Sequence, residues 1–76
     1  MKELVEYLAR SLVDHPDSVS VKEIKGPSAI TLEVTVADSD MGRVIGRRGR
    51  VVNAMRSLVE VVAARQGKRV TLEIVD

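Results

Sequence analysis

The stretch Gly42-Arg43-Val44-Ile45-Gly46-Arg47-Arg48-Gly49-Arg50 places four arginines and three glycines in nine consecutive residues, with two β-branched apolar residues side by side among them. Glycines at this density indicate a backbone that something approaches closely, and the arginines indicate that the approaching group is anionic. The Val44-Ile45 pair asks for a second, apolar contact.

The charge around this stretch is local. Between Met41 and Val59 lie five arginines and no acid, while the rest of the chain carries seven Lys/Arg against eleven Asp/Glu, for a net charge of only +1. A polyanion would therefore meet one face and not the whole surface. Tyr7 is the only aromatic residue, so the chain has no rings to spare for stacking bases as RNA-recognition motifs, OB-folds and cold-shock domains do. The absence of cysteine excludes disulfides and thiolate metal sites. No apolar run is long enough for a membrane span, and the N-terminus is charged and helix-patterned without a signal-peptide block, so a cytoplasmic protein is expected. A domain of 76 residues buries only roughly 60 to 65% of its unfolded surface and gains from a partner.

Working outward, Lys2 to Asp14 reads as an amphipathic helix with Leu4, Val5, Leu8, Ala9, Leu12 and Val13 on one side, stopped by His15-Pro16-Asp17. Val19, Val21 and Ile24 then read as one side of a strand. Gly26-Pro27-Ser28 is a turn, and Ile30, Leu32, Val34 and Val36 form a cleaner period-2 strand, giving a hairpin. Ser39 or Asp40 caps a short helix through Arg43-Val44-Ile45, the Gly46 to Gly49 loop ends it, and a long helix runs from about Arg50 to Gln66. Gly67 closes that helix, and Val70, Leu72 and Ile74 make a last strand. The crossover through two helices makes the last strand parallel to the second, which is then central, with the first antiparallel to it. The expected class is α+β: order αββααβ, a three-stranded mixed sheet with three helices on one face.

An αββααβ chain in which V-I-G-x-x-G joins a short helix to a long one resembles the type II KH domain. GRVIGRRGR followed by an apolar helix is similar to the small single-domain bacterial KH proteins of the KhpA family. The resemblance covers essentially the whole chain and implies a single KH domain over residues 1–76. It further implies binding of single-stranded RNA, or sometimes DNA, over about four nucleotides, no catalysis, pairing with a second KH-containing protein and a role in post-transcriptional regulation.

The residues support such a site physically. Gly46 and Gly49 let the loop turn tightly and let a sugar-phosphate chain approach. Amides at the start of the long helix favour negative charge there. Arg47 and Arg48 at the loop tip, with Arg43 and Arg50 beside it, supply cationic donors. Bases splayed from the clamped backbone meet an apolar groove lined by Val44, Ile45, Val51 or Val52 and part of the sheet edge. Val44 and Ile45 cannot both face that groove, since successive helix residues are roughly 100° apart, and Ile45 is the one assigned to the core. Asn53 either hydrogen-bonds a base or faces solvent, and Arg56 is either a solvated helix residue or a ligand contact.

Enzymatic readings lack their parts. There is no G-x-x-x-x-G-K-[ST], no G-x-G-x-x-G and no serine or cysteine with a paired histidine. Asp38 and Asp40 sit where capping explains them, so neither metal nor cofactor is expected. The long helix points instead to association. Val51, Met55, Leu58 and Val62 centre one face of it, and Val52, Val59, Ala63, Ala54 and Val61 widen the apolar arc to about 200°. That exceeds what one sheet covers. Met55, Leu58, Val59, Val61 and Val62 are the expected dimer face, for a homodimer or a heterodimer with another KH-containing protein.

Overall fold

The computed structural model describes residues 1–75. Its helices are α1 (Lys2–Leu12), α2 (Met41–Ile45) and α3 (Arg50–Arg65), and its strands are β1 (Ser20–Lys25), β2 (Ile30–Thr35) and β3 (Val70–Val75). Short 3-10 turns at Pro16–Ser18, Asp38–Asp40 and Arg47–Gly49 join them. The sheet order is β1-β2-β3, with β1 antiparallel to β2 (Val21 opposite Val34) and β3 parallel to it (Leu32 opposite Leu72). This is the topology that the hairpin signal and the two-helix crossover predict.

One face of the sheet presents Val21, Leu32, Val34, Val70 and Leu72, all buried, to Val5 and Ala9 of α1, Val44 of α2 and the inner face of α3. The other face carries Lys22, Thr31, Glu33, Thr71 and Glu73. Ile24 belongs to this second face and is 40% exposed, not on the side of Val19 and Val21 where its apolar character suggested. Period 2 counted from Val21 leads to Glu23 and Lys25.

The inner stripe of α3 is Val52, Met55, Val59 and Ala63. The helix is therefore rolled away from the centre of its apolar arc, and two residues expected at a dimer face are core. Val59 is fully buried and Met55 is 5% exposed. The helix ends at Arg65, one residue before the expected Gln66. There the Gly67 N–H donates to the Ala64 carbonyl (3.0 Å) and the Lys68 N–H to the Ala63 carbonyl (2.9 Å), a Schellman closure that turns the chain into β3.

Helix α1 also stops early, at Leu12 instead of Asp14, with Val13 already extended. The reason lies 25 residues away. The Asp14 N–H donates to Asp40 Oδ1 and the His15 N–H to Asp40 Oδ2, both at 3.0 Å, so these amides are spent on a carboxylate and not on a further helical turn. Asp40 precedes α2 but makes no side-chain cap for it. With 1% exposure it is the buried charged residue of the core, its charge held by two main-chain donors. It ties the α1–β1 connection to the foot of α2. Asp40→Ala leaves two amides without their acceptor and is expected to lower stability by about 1–3 kcal/mol, read as a shifted urea midpoint at unchanged m-value; a change below about 0.5 kcal/mol would contradict this role.

Candidate nucleic-acid interface

Between α2 and α3 the chain reverses within four residues. Gly46 (φ 77°), Arg48 (φ 58°, ψ 26°) and Gly49 (φ 74°, ψ 15°) all have positive φ, and the Gly49 N–H closes the turn on the Gly46 carbonyl at 3.1 Å. The two glycines are needed for different reasons. A Cβ on Gly46 would run into the Val51 side chain and lie 2.8 Å from the Val51 amide nitrogen, so the missing side chain admits the first turn of α3. A Cβ on Gly49 would meet nothing closer than Asn53 Nδ2 at 3.6 Å, so at Gly49 only the backbone conformation demands glycine. Arg48 adopts a left-handed conformation without that freedom, at a cost of about 1–2 kcal/mol. Strain of this kind persists where the surroundings impose it.

The arginines around the loop are exposed. Arg43 pairs with Asp14 at 3.2 Å, both side chains more than half exposed. Arg47, Arg48 and Arg50 take part in none of the ion pairs among the described residues, and the start of α3 has no side-chain cap. Positive charge and an uncapped helix N-terminus thus share one end of the molecule.

The apolar pair reverses the expectation. Val44 is fully buried and Ile45 is 37% exposed. Helix α2 is only five residues long, and its inward line runs from buried Asp40 through half-buried Met41 to Val44, one helical turn apart. Val52 is likewise core, which leaves Val51, half-buried, as the accessible member of that pair. The side chains of Val44 and Val52 are therefore unavailable to a ligand, while those of Ile45 and Val51 are available.

The flanks of α3 differ in character. Toward α1, Leu8, Arg50, Val51, Ala54, Met55 and Leu58 line an open apolar groove of about 340 Å³. Leu8 was read only as part of the apolar side of the first helix, and nothing in the spacing of either helix alone marks the seam between them. Toward β3, Arg56 is half-buried and bonded: its Nε–H donates to the Leu72 carbonyl (3.1 Å) and Nη1–H to Asn53 Oδ1 (3.3 Å). Asn53 is exposed beside Gly49. Among the described residues no group of three or more His, Cys, Asp or Glu side chains is placed to hold a metal ion.

A short helix, a G-x-x-G turn and a long helix packed on a mixed sheet in the order αββααβ define the type II KH fold. A family model described as "KhpA/KhpB, KH domain" matches residues 2–74. The RNA-binding protein KhpA of Clostridium acetobutylicum is 48% identical over 75 residues, covering 99% of this chain and all of that protein. The protein of the same name from Caldanaerobacter subterraneus subsp. tengcongensis is 49% identical over the same length. That from Chlamydia trachomatis is 43% identical over 76 residues, covering 100% of this chain and 97% of its own. A crystal structure of Era from Aquifex aeolicus superposes with a TM-score of 0.65 at 23% identity; it covers 96% of this chain, which spans only 28% of that one, so the likeness is one of fold. The chain belongs to the KhpA/KhpB KH-domain family.

The loop geometry separates three substitutions. Gly46→Ala adds a clash to the backbone penalty and is expected to cost about 2–4 kcal/mol, against about 1–2 for Gly49→Ala. Arg48→Gly relieves strain and is expected to raise the melting temperature by a few degrees. Thermal denaturation followed by circular dichroism checks all three, and equal losses at Gly46 and Gly49 would refute the packing role of Gly46.

Proposed function

We propose that this chain is a non-catalytic binder of single-stranded RNA that grips the sugar-phosphate backbone with the Gly46–Gly49 loop and acts in post-transcriptional regulation in the bacterial cytoplasm. The observation that carries the reading is the left-handed turn that holds Arg47, Arg48 and Arg50, free of ion pairs among the described residues, at the uncapped start of α3. Three exposed guanidinium groups at the N-terminal end of a helix are donors of the kind that suits phosphates. Arg43 joins them by exchanging its solvated pair with Asp14, which is weak at this exposure. Bases leaving the clamp meet Ile45 and Val51 as apolar contacts and Asn53 as a polar one. Relatives named RNA-binding protein KhpA match nearly the full chain. No helix among the described residues is long and apolar enough to cross a membrane.

The test is a charge reversal at the loop tip. Changing Arg47 and Arg48 together to Asp removes two charged phosphate contacts and introduces repulsion, so affinity for a short single-stranded RNA is expected to fall at least about 100-fold. Both side chains are exposed, so the melting temperature is expected to stay within a few degrees. Undiminished binding would remove the clamp.

A second reading adds to the first: the apolar seam between α1 and α3 pairs with a second copy or with another KH-containing chain. It is favoured by the exposure of Leu58 (42%), which lines that groove, and of Val61 (54%) one turn further along α3. With Val59 and Met55 in the core, the surface members of the expected dimer face are Leu58, Val61 and half-buried Val62. Val61→Glu or Leu58→Glu is expected to give a folded monomer in sedimentation, whereas Val59→Glu is expected to unfold the domain. A wild-type protein that stays monomeric at about 100 µM, with a melting temperature independent of concentration, would contradict self-association.

A further inference from the structure

The long helix has a second basic end. At its C-terminus Arg65, Lys68 and Arg69 follow one another within five residues, and Lys25 closes β1 just before the turn into β2. Residues 25–30 and 65–70 hold these four cations and no acid, and all four side chains are exposed. Lys25 lies 4.0 Å from Glu23, while Arg65, Lys68 and Arg69 enter none of the ion pairs among the described residues.

The sheet brings the two segments together. β2 and β3 run parallel with Ile30 opposite Val70, so the turn before β2 and the connection before β3 lie side by side. Between them is a cleft of about 240 Å³, lined by Gly26 to Ile30 on one side and by Gly67, Lys68 and Arg69 on the other. Both walls are fixed by main-chain bonds: Gly26 N–H to the Ala29 carbonyl (2.8 Å), Ile30 N–H to the Arg69 carbonyl (2.9 Å) and Lys68 N–H to the Ala63 carbonyl (2.9 Å). The Ser28 and Ala29 N–H groups enter none of these bonds, which leaves main-chain donors in the same wall as the cations. Lys68 and Arg69 therefore start from a backbone that a ligand does not have to order.

Complementing the helix end does not account for this cluster. Arg65 sits in the last turn of α3, where a cation offsets the helix dipole, and the Ala63 and Ala64 carbonyls are already satisfied by the Lys68 and Gly67 amides. Lys68 and Arg69 lie beyond the helix, on the cleft. Charge elsewhere makes the cluster more distinct. Outside it and the arginine-rich segment from Met41 to Val59, the chain has only Lys2, Arg10 and Lys22 against eleven acids. An otherwise acidic molecule thus presents positive charge at both ends of one helix, and Gly49 to Arg65 spans about 24 Å at 1.5 Å per residue, within a longest dimension of 34 Å. A partner that meets both ends is a chain of anions at least that long, and an RNA strand continuing from the loop is one.

Building on the RNA-binding reading, we infer that the cleft between the Gly26–Ala29 turn and Lys68–Arg69 is a second phosphate-holding site, which takes the same strand beyond the nucleotides gripped by the loop. The footprint on RNA is then longer than the about four nucleotides that a G-x-x-G loop clamps. The competing role is a general one, in which Lys68 and Arg69 only add to the overall positive field. The two differ in how the loss on removing these charges depends on RNA length.

The experiment is an NMR titration of the full chain with all-uridine RNAs of 4 and 12 nucleotides. It compares the wild type, a variant carrying Lys68→Gln and Arg69→Gln, and a control carrying Lys2→Gln and Lys22→Gln, which makes the same charge change at exposed residues outside both basic ends. The Lys68/Arg69 variant is expected to bind the 12-mer about 5- to 30-fold more weakly than the wild type and the 4-mer within about twofold, while the control stays within about twofold on both. Its slope of log K against log salt for the 12-mer is expected to be shallower by about 1.4, for two phosphates at about 0.7 each. The affected side chains are exposed, so its melting temperature is expected to stay within a few degrees. Equal losses on the two RNAs, or a 12-mer loss that the control matches, overturn the inference while leaving the loop clamp intact. No loss on either RNA also overturns it and frees this end for a protein partner. A wild type that binds neither RNA overturns the RNA reading itself, and this inference with it.

Discussion

The chain can reverse between Ile45 and Arg50 within four residues only because Gly46 leaves space for Val51 and its amide, and the placement of the basic end of the molecule follows from that reversal. With a side chain at position 46, α3 could not begin where it does. Its first turn, the left-handed Arg48 and the exposed Arg47 and Arg50 would then lose their common origin. The glycine at position 49 and the strain at Arg48 complete the same turn, so sterics on the inner side of the loop set the electrostatics on its outer side. A surface built this way is positioned before any ligand arrives, which limits the ordering cost of binding.

Two anchors hold the helices on either side of the turn. The Asp40 carboxylate fastens the foot of α2 to the chain leaving α1 through the Asp14 and His15 amides, and Val44 fills the core one turn further on. On α3, Val52, Met55, Val59 and Ala63 bind the sheet. The remaining surface of α3 then divides into an apolar side that meets α1 and a polar side that meets β3. The two flanks are separate along most of the helix, but Arg50 and Val51 line the groove toward α1 and also adjoin the loop, so the two surfaces meet at the N-terminal end of α3.

Much of this was legible in the sequence, because the signals were local. Alternation in Ile30 to Val36 marks a half-buried strand, Gly67 marks a helix end, and a crossover of two helices leaves little choice but a parallel β3 beside β2. The burial of Val44 in place of Ile45 was not legible, because it depends on Asp40 being inside the protein, and the partners that let a carboxylate be buried lie 25 and 26 residues earlier in the chain. The roll of α3 was hidden for a different reason. Its sequence carries two apolar stripes of similar strength, one through Val52, Met55 and Val59 and one through Val51, Ala54 and Leu58, and only packing against the sheet and α1 decides which is core. Arg56 was ambiguous because its acceptor, the Leu72 carbonyl, is a neighbour by topology and not by spacing.

The account rests on phosphates being held by the arginines at the turn, and the salt dependence of binding measures that directly. For a short single-stranded RNA held through about three or four phosphates, log K against log salt concentration is expected to fall with a slope of roughly −2 to −3, a loss of about 20- to 50-fold between 50 and 200 mM. An affinity that does not change with salt would contradict the account, since binding would then rest on base and apolar contacts and not on the clamp.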